Sequence, residues 1–156
     1  MCEGERLIVS FFGHSKTIID IKQEDFLSIL ENIVKDAPVE FLLGMYGDFD
    51  FFAYACAKEY KKRHPNAKLV FVTPYIHENY CLLEDANERF DEVVYPELEK
   101  VPKRYAIIRR NEYMIDESDF IIFYVTHHFG GGAYRALEYA KRKKKQYINI
   151  SKKPEN

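Results

Sequence analysis

Cysteine is scarce in this sequence: Cys2, Cys56 and Cys81 are odd in number, widely spaced and never arranged as Cys-x-x-Cys. That excludes a disulfide framework or a zinc site of the usual spacing, and makes a reducing cytoplasm the expected location. Long apolar runs are missing too. No stretch approaches the ~20 residues a membrane span needs, and Met1-Cys2-Glu3-Gly4-Glu5-Arg6 is polar and acidic, unlike a signal peptide. Neither secretion nor a membrane partner is expected. Net charge is nearly absent: 23 Lys and Arg against 25 Asp and Glu give a formal charge of -2. Any nucleic-acid role must therefore rest on a local basic patch.

What is present is the composition of one ordinary domain. The 156 residues are 47% hydrophobic and 31% charged, enough to bury a core without disulfides or metal, and they exclude disorder as the main description. The expected domain is a single unit over residues 1–156, with no internal repeat and no linker.

Hydrophobic patterning gives a β-α alternation repeated about five times. Leu7 to Phe12 reads as a strand buried on both faces, ending at Gly13-His14-Ser15. Glu24 to Lys35 has helical spacing at Phe26, Leu27, Leu30, Ile33 and Val34. Val39 to Leu43 predicts a second strand feeding the loop Gly44 to Asp50, and Asp50 is placed to cap a helix running to about Arg63. Lys68 to Val72 predicts a third strand, ending at Thr73-Pro74-Tyr75. Ile76 to Glu92 is the least regular stretch, read as a short helix followed by a short strand at Val93 to Tyr95. Arg104 to Glu117 then reads as helix, Phe120 to Val125 as strand, Ala133 to Lys145 as helix and Tyr147 to Ile150 as a last strand. The fold class is α/β: a Rossmann-like, three-layer domain with a mostly parallel sheet. In such sheets ligands bind beyond the carboxyl ends of the strands, where Gly13-His14, Gly44 to Asp50, Thr73-Pro74-Tyr75 and Thr126 to Gly132 should converge.

The tract Thr126-His127-His128-Phe129-Gly130-Gly131-Gly132-Ala133 joins the last long strand to a helix. Its amides should sit at a helix N-terminus, where an anion is favoured, and glycines let the backbone approach it closely. A flexible turn is the plain alternative, because this tract is neither a P-loop nor a Gly-x-Gly-x-x-Gly fingerprint. Asp50 has two readings, a ribose hydroxyl acceptor or a helix cap; His14 has two, a ligand contact or a structural tie between loops. Adjacent His127 and His128 would point to opposite sides of an extended chain, so no metal is expected, and nothing in the pattern calls for a cofactor. Tyr75, Phe129 and Tyr134 are near enough to the expected crevice to stack on a base. The run Lys141-Arg142-Lys143-Lys144-Lys145 reads first as a solvated helix end that offsets the macrodipole, and second as a nucleic-acid surface.

Several of these residues together carry a resemblance. Arg110-Asn111-Glu112-Tyr113-Met114, Ser118-Asp119-Phe120, Gly131-Gly132 and Glu138 resemble the SLOG superfamily, which unites Lonely Guy phosphoribohydrolases with DNA-processing proteins. Phe12-Gly13-His14, Gly44 to Asp50, Pro96 to Arg104 and Ala140 to Lys145 look like its branch with Gly-His after the first strand, so the resemblance spans nearly the whole chain. It implies a Rossmann-like fold and a dimer. In the Lonely Guy enzymes an arginine four residues before a methionine, and a glutamate on the helix after Pro-Gly-Gly-x-Gly-Thr, act on an N-glycosidic bond. Arg110 and Glu138 match those positions, whereas Phe129, Ala133 and Tyr134 replace the loop proline, the later glycine and the threonine.

The converging loops, together with the incomplete match to the catalytic motif, predict a nucleotide-like ligand held by Gly13, His14, Gly44, Gly47, Asp50, Pro74, Arg109, Arg110, Asn111, Thr126, Gly130, Gly131 and Gly132, in a sensor or carrier. The alternatives are an N-glycosidic hydrolase using Arg110 and Glu138, and a single-stranded nucleic-acid binder. For the same side chains the plain reading is ion pairing: Glu138 with Arg142, and Arg109 with Glu112 or Tyr113.

Overall fold

The structure is a computed structural model that describes residues 5–75, 86–127 and 130–151, apart from the side chain at position 87. Ile76 to Asp85, including Cys81, as well as Cys2, His128 and Phe129, lie outside the described residues.

Six strands form one sheet in the order β4-β3-β2-β1-β5-β6, with every pairing parallel. They are β1 (Leu7–Gly13), β2 (Val39–Leu43), β3 (Lys68–Val72), β4 (Glu92–Val94), β5 (Phe120–Tyr124) and β6 (Tyr147–Asn149). The helices between them are α1 (Gln23–Val34), α2 (Asp48–Arg63), the short α3 (Ala86–Arg89), α4 (Ala106–Glu117, preceded by a 3-10 turn at Lys103–Tyr105) and α5 (Gly132–Arg142). The fold is α/β and Rossmann-like, as the apolar strand runs predict.

The runs are apolar on both faces because both faces are covered. Alternate residues point to opposite sides of a strand. Val9 and Phe11, Phe41 and Leu43, and Leu69 and Phe71 pack with Phe26, Leu27 and Leu30 of α1 and Phe49, Ala53 and Ala57 of α2. Phe12, Leu42, Val70, Ile121 and Phe123 pack on the other side with Met114 and Ile115 of α4 and Ala136, Leu137 and Ala140 of α5. A fully buried Phe such as Phe26, at 0% exposure, contributes on the order of 2–3 kcal/mol by leaving water. Truncating it to alanine would cost about 3–5 kcal/mol, because the cavity left behind adds to the lost burial.

Some boundaries differ from those expected. Helix α2 begins at Asp48 with Gly47 as its N-cap, so Asp50 sits inside the first turn and is not the cap. Helix α5 ends at Arg142, and Lys144 takes a left-handed φ of 58°, so Lys143 to Lys145 lie past the helix. The short helix expected in the irregular stretch is α3, whereas β4 starts one residue earlier than predicted, at Glu92.

The strand order fixes where a ligand has room. The chain builds β1, β2, β3 and β4 outward in one direction, then returns to place β5 on the other side of β1. Helices α1 and α2 therefore cover one face and α4 and α5 the other. At such a reversal the loops leaving β1 and β5 diverge to opposite faces and open a crevice.

Candidate functional site

A cavity of about 300 Å³ occupies that crevice. Gly13, His14, Ser15 and Lys16 from the end of β1 form one wall, and Gly130 to Ala133 at the start of α5 another; Tyr46 and Asp50 from the β2–α2 loop and Ile107, Arg110 and Asn111 from α4 complete it. Of the residues expected to hold a ligand, Gly13, His14, Asp50, Arg110, Asn111, Gly130, Gly131 and Gly132 are thus brought together. Gly44, Gly47, Pro74, Arg109 and Thr126 are not on the cavity wall, nor is Glu138.

The glycine loop owes its conformation to its residues. Gly130 and Gly131 have φ of 96° and 87°, which an L side chain rarely adopts, whereas Gly132 begins the helix without that restriction. A Cβ on any of the three would meet nothing within 4 Å among the described residues, so this stretch stands open toward the cavity. The first-turn amides from Gly132 onward have no preceding helical carbonyl to bond, and the macrodipole adds partial positive charge there. The loop's start is held by a clip that no local pattern in the chain announces. The Asn149 side chain accepts from the Val125 amide at 3.0 Å and donates to the Val125 carbonyl at 3.1 Å, tying β6 to the end of β5.

His14 is buried, and its Nε2 accepts the Thr126 amide at 2.9 Å. Accepting there requires a neutral ring with the proton on Nδ1. Burial, and then the neighbouring His127, push its pKa below the usual histidine range. The two rings stack at 4.1 Å with an interplanar angle of 6°. His14 therefore joins the β1 and β5 loops and presents a donor, Nδ1–H, that has no hydrogen-bond partner among the described residues.

Asp50 reaches back from the first turn of α2, and its Oδ2 accepts the Tyr46 amide at 2.8 Å. Burial pushes its carboxyl up to about 7, against the lowering influence of that amide and of Arg110. Near neutral pH this wall of the cavity is consequently poised between a carboxylic acid and a carboxylate.

Arg110 is only 2% exposed. Its Nη1 donates to the Val72 carbonyl at 2.7 Å and to the Gly44 carbonyl at 3.1 Å, and its Nε donates to Asn111 Oδ1 at 2.9 Å. It clips the ends of β2 and β3 to α4, and the part of it on the cavity wall is a fixed positive charge. Gly44 serves this clip, since a Cβ there would stand 3.2 Å from the guanidinium carbon. Gly47 acts on another contact. At its φ of 103° a Cβ would meet the Ser15 Cα at 2.3 Å, so the glycine lets α2 approach the β1 loop. Asp48 seals that approach, its amide donating to the Ser15 carbonyl and its side chain accepting from the Thr17 amide. At Gly13 a Cβ would run into the buried Phe49 ring.

The remaining candidates are engaged elsewhere. Arg109 pairs with Glu112 at 3.1 Å on an exposed face. Glu138 pairs with Lys141 at 3.5 Å rather than with Arg142. Lys145 donates to the carbonyls of Asp116 and Ser118, and Lys143 lies 3.9 Å from Asp116, so part of the basic run is tied to the end of α4. Tyr75 and Tyr134 do not line the cavity, while Tyr46, which the sequence pattern does not single out for stacking, does. Ser118-Asp119 has a structural role: Ser118 Oγ bonds Ser10 Oγ and the Met114 carbonyl, and Asp119 accepts the Ile8 amide, fixing β5 against β1.

One grouping of metal-ligating types occurs among the described residues, at the opposite end of the sheet. His64 Nε2 lies 2.8 Å from Glu31 and Nδ1 3.9 Å from Asp36. The two carboxylates face different ring nitrogens. Among the described residues, no helix is long and apolar enough to cross a membrane.

No family model and no curated protein sequence matches the chain. In fold it is similar to DNA processing protein A from Helicobacter pylori, a protein with a described single-stranded DNA binding mode. The TM-score is 0.60 at 15% identity, over 90% of this chain and 63% of that one.

Proposed function

We propose that the protein binds a nucleotide or nucleotide-derived ligand in this cavity, as a sensor or carrier, with the phosphate against the start of α5. The observation that carries the reading is the convergence of three phosphate-compatible features on one cavity. These are the open glycine stretch with its first-turn amides, the Nδ1–H of His14, and the cations Lys16 and Arg110. At about 300 Å³ the cavity is at the small end of ligand pockets, roughly 300–1,000 Å³, and suits a mononucleotide better than a dinucleotide.

Isothermal titration with the four common nucleoside 5′-monophosphates tests it. Binding of at least one, competed by sulfate, is the expected result. Failure of all four to bind, with no thermal stabilisation, would reject the assignment.

A second reading, single-stranded nucleic-acid binding, is favoured by the fold similarity to the Helicobacter pylori protein. It places a strand's backbone across the same crevice and predicts a gel shift that weakens steeply with salt. An absent or salt-independent shift would count against it. The N-glycosidic hydrolase reading has weaker support, because Arg110 lines the cavity whereas Glu138 pairs with Lys141 away from it. Release of free base by the wild type, and its loss in Glu138→Gln, would revive that reading.

A further inference from the structure

We infer that Tyr46 is the stacking platform for the base of the bound ligand, so that the site selects nucleotides over sugar phosphates and free phosphate; this rests on the nucleotide-binding reading above. Tyr46 is an aromatic side chain on the cavity wall and is 52% exposed. No aromatic ring among the described residues stacks on it. Among the described residues Tyr46, Phe51, Tyr105 and Tyr147 are the exposed aromatic rings, and of these four Tyr46 alone lines the cavity.

The backbone around Tyr46 is built to put it there. Met45, a non-glycine residue, takes a left-handed φ of 55° and is only 2% exposed. That conformation is unfavourable for a side-chain-bearing residue, and here it turns Met45 into the core while leaving Tyr46 outside. The Tyr46 amide is then fixed by Asp50 Oδ2 at 2.8 Å, and the next residue, Gly47, is pressed against Ser15. With both neighbours anchored, the backbone that carries the ring is set before any ligand arrives, which reduces the ordering cost of binding.

Its position also fits the dimensions of a nucleotide. Tyr46 follows β2 and the glycine loop follows β5, with β1 between them. Two strand spacings separate the loops by about 10 Å, comparable to the reach from a 5′-phosphate to its base. Asp50 and Asn111 supply further polar groups to the cavity lining, where the ribose would lie. The apolar edge of Ile107 adds a surface for the base.

The test compares two ligands in four proteins: wild type, Tyr46→Ala, Tyr46→Phe and Tyr46→Trp. Calorimetric titration uses the best-bound nucleoside 5′-monophosphate and ribose 5-phosphate. Losing one base–aromatic stack should weaken the nucleotide in Tyr46→Ala by roughly 5- to 100-fold. Ribose 5-phosphate affinity should stay unchanged, and Tyr46→Phe and Tyr46→Trp should retain nucleotide binding within about threefold. If Tyr46→Ala binds the nucleotide as wild type does, or weakens both ligands equally, the platform is overturned and the nucleotide-binding reading stands. If wild type binds neither ligand, both readings fall together. Thermal melts of the variants verify that each is folded.

Discussion

The guanidinium of Arg110 and the Cα of Gly44 meet so closely that a Cβ on Gly44 would stand 3.2 Å from the guanidinium carbon, while Arg110 Nη1 donates to the Gly44 carbonyl at 3.1 Å. A second bond, to the Val72 carbonyl at 2.7 Å, makes this one side chain the tie between the ends of β2 and β3. Arg110→Met would strand two carbonyls in a buried place, each worth about 1–3 kcal/mol. The expected loss in denaturant unfolding is about 3 kcal/mol. Gly44→Ala asks the guanidinium to move by only a few tenths of an ångström and should cost less, about 1 kcal/mol. A smaller loss in Arg110→Met than in Gly44→Ala would contradict the clip.

Gly131 and Gly132 are neighbours with opposite expected behaviour. Gly131→Ala forces a side chain onto φ of 87° and should destabilise the protein by on the order of 1–3 kcal/mol. Gly132→Ala meets no atom of the described residues within 4 Å and lies in a helical turn, where alanine is favoured over glycine by roughly 0.5–1 kcal/mol. Its methyl nevertheless occupies the approach to the first-turn amides. Gly132→Ala should hold or raise the melting temperature while weakening nucleotide monophosphate binding at least tenfold. Unchanged affinity would remove the glycine loop from the site.

Much of this is legible in the chain itself, and the parts that are not share a cause. Strands such as Leu7–Gly13 and Phe120–Tyr124 announce themselves because a sheet covered on both faces writes a continuous apolar run. Gly130 and Gly131 stand out because their need for positive φ is local to them. Gly44 and Gly47 are noticeable too, but their reasons, the guanidinium of Arg110 and the main chain of Ser15, lie on remote segments. Asp50 looks like a cap and is not one, because helix α2 starts from Gly47, which has no side chain to cap with. Tyr46 does not stand out, because its exposure depends on the left-handed turn at Met45, which no spacing rule foresees in a methionine. The Asn149 clip on Val125 joins two strands whose adjacency only the finished sheet reveals.

Asp50 should impose an unusual pH dependence. Its carboxyl is pushed from 3.8 up to about 7 in the folded state, so between those values the folded protein holds a proton that the unfolded chain has released. Stability from this group therefore falls as pH rises from about 4 to 7 and levels off above. Because the carboxyl keeps partial contact with solvent at the cavity, the effect is on the order of 2 kcal/mol rather than the full displacement. Asp50→Asn keeps an acceptor for the Tyr46 amide and should be more stable than wild type at pH 8 but not at pH 4. Nucleotide affinity should decline above pH 7 in wild type, as a carboxylate appears beside the phosphate's wall, and stay flatter in the variant. Parallel pH profiles for the two proteins would rule out this role.

His14 should act in the opposite sense on acidification. Its folded pKa lies below the ordinary 6.5, through burial and then His127, so the unfolded chain takes up the proton first. The stabilising contribution is present above about pH 6.5 and is lost as pH falls, because protonation of Nε2 abolishes its acceptance of the Thr126 amide. With the Thr126 amide released and a charge placed on the His14 ring 4.1 Å from its stacked neighbour, the β1 and β5 loops should separate on the acid side. In wild type, amide exchange at Thr126 should accelerate between pH 7 and 5 beyond the change seen at the Asn149-clipped Val125 amide. His14→Gln, whose side-chain oxygen accepts without titrating, should remove that difference and flatten the stability profile over the same interval. If Thr126 and Val125 respond identically in wild type, the His14 bond does not govern the closure of the crevice.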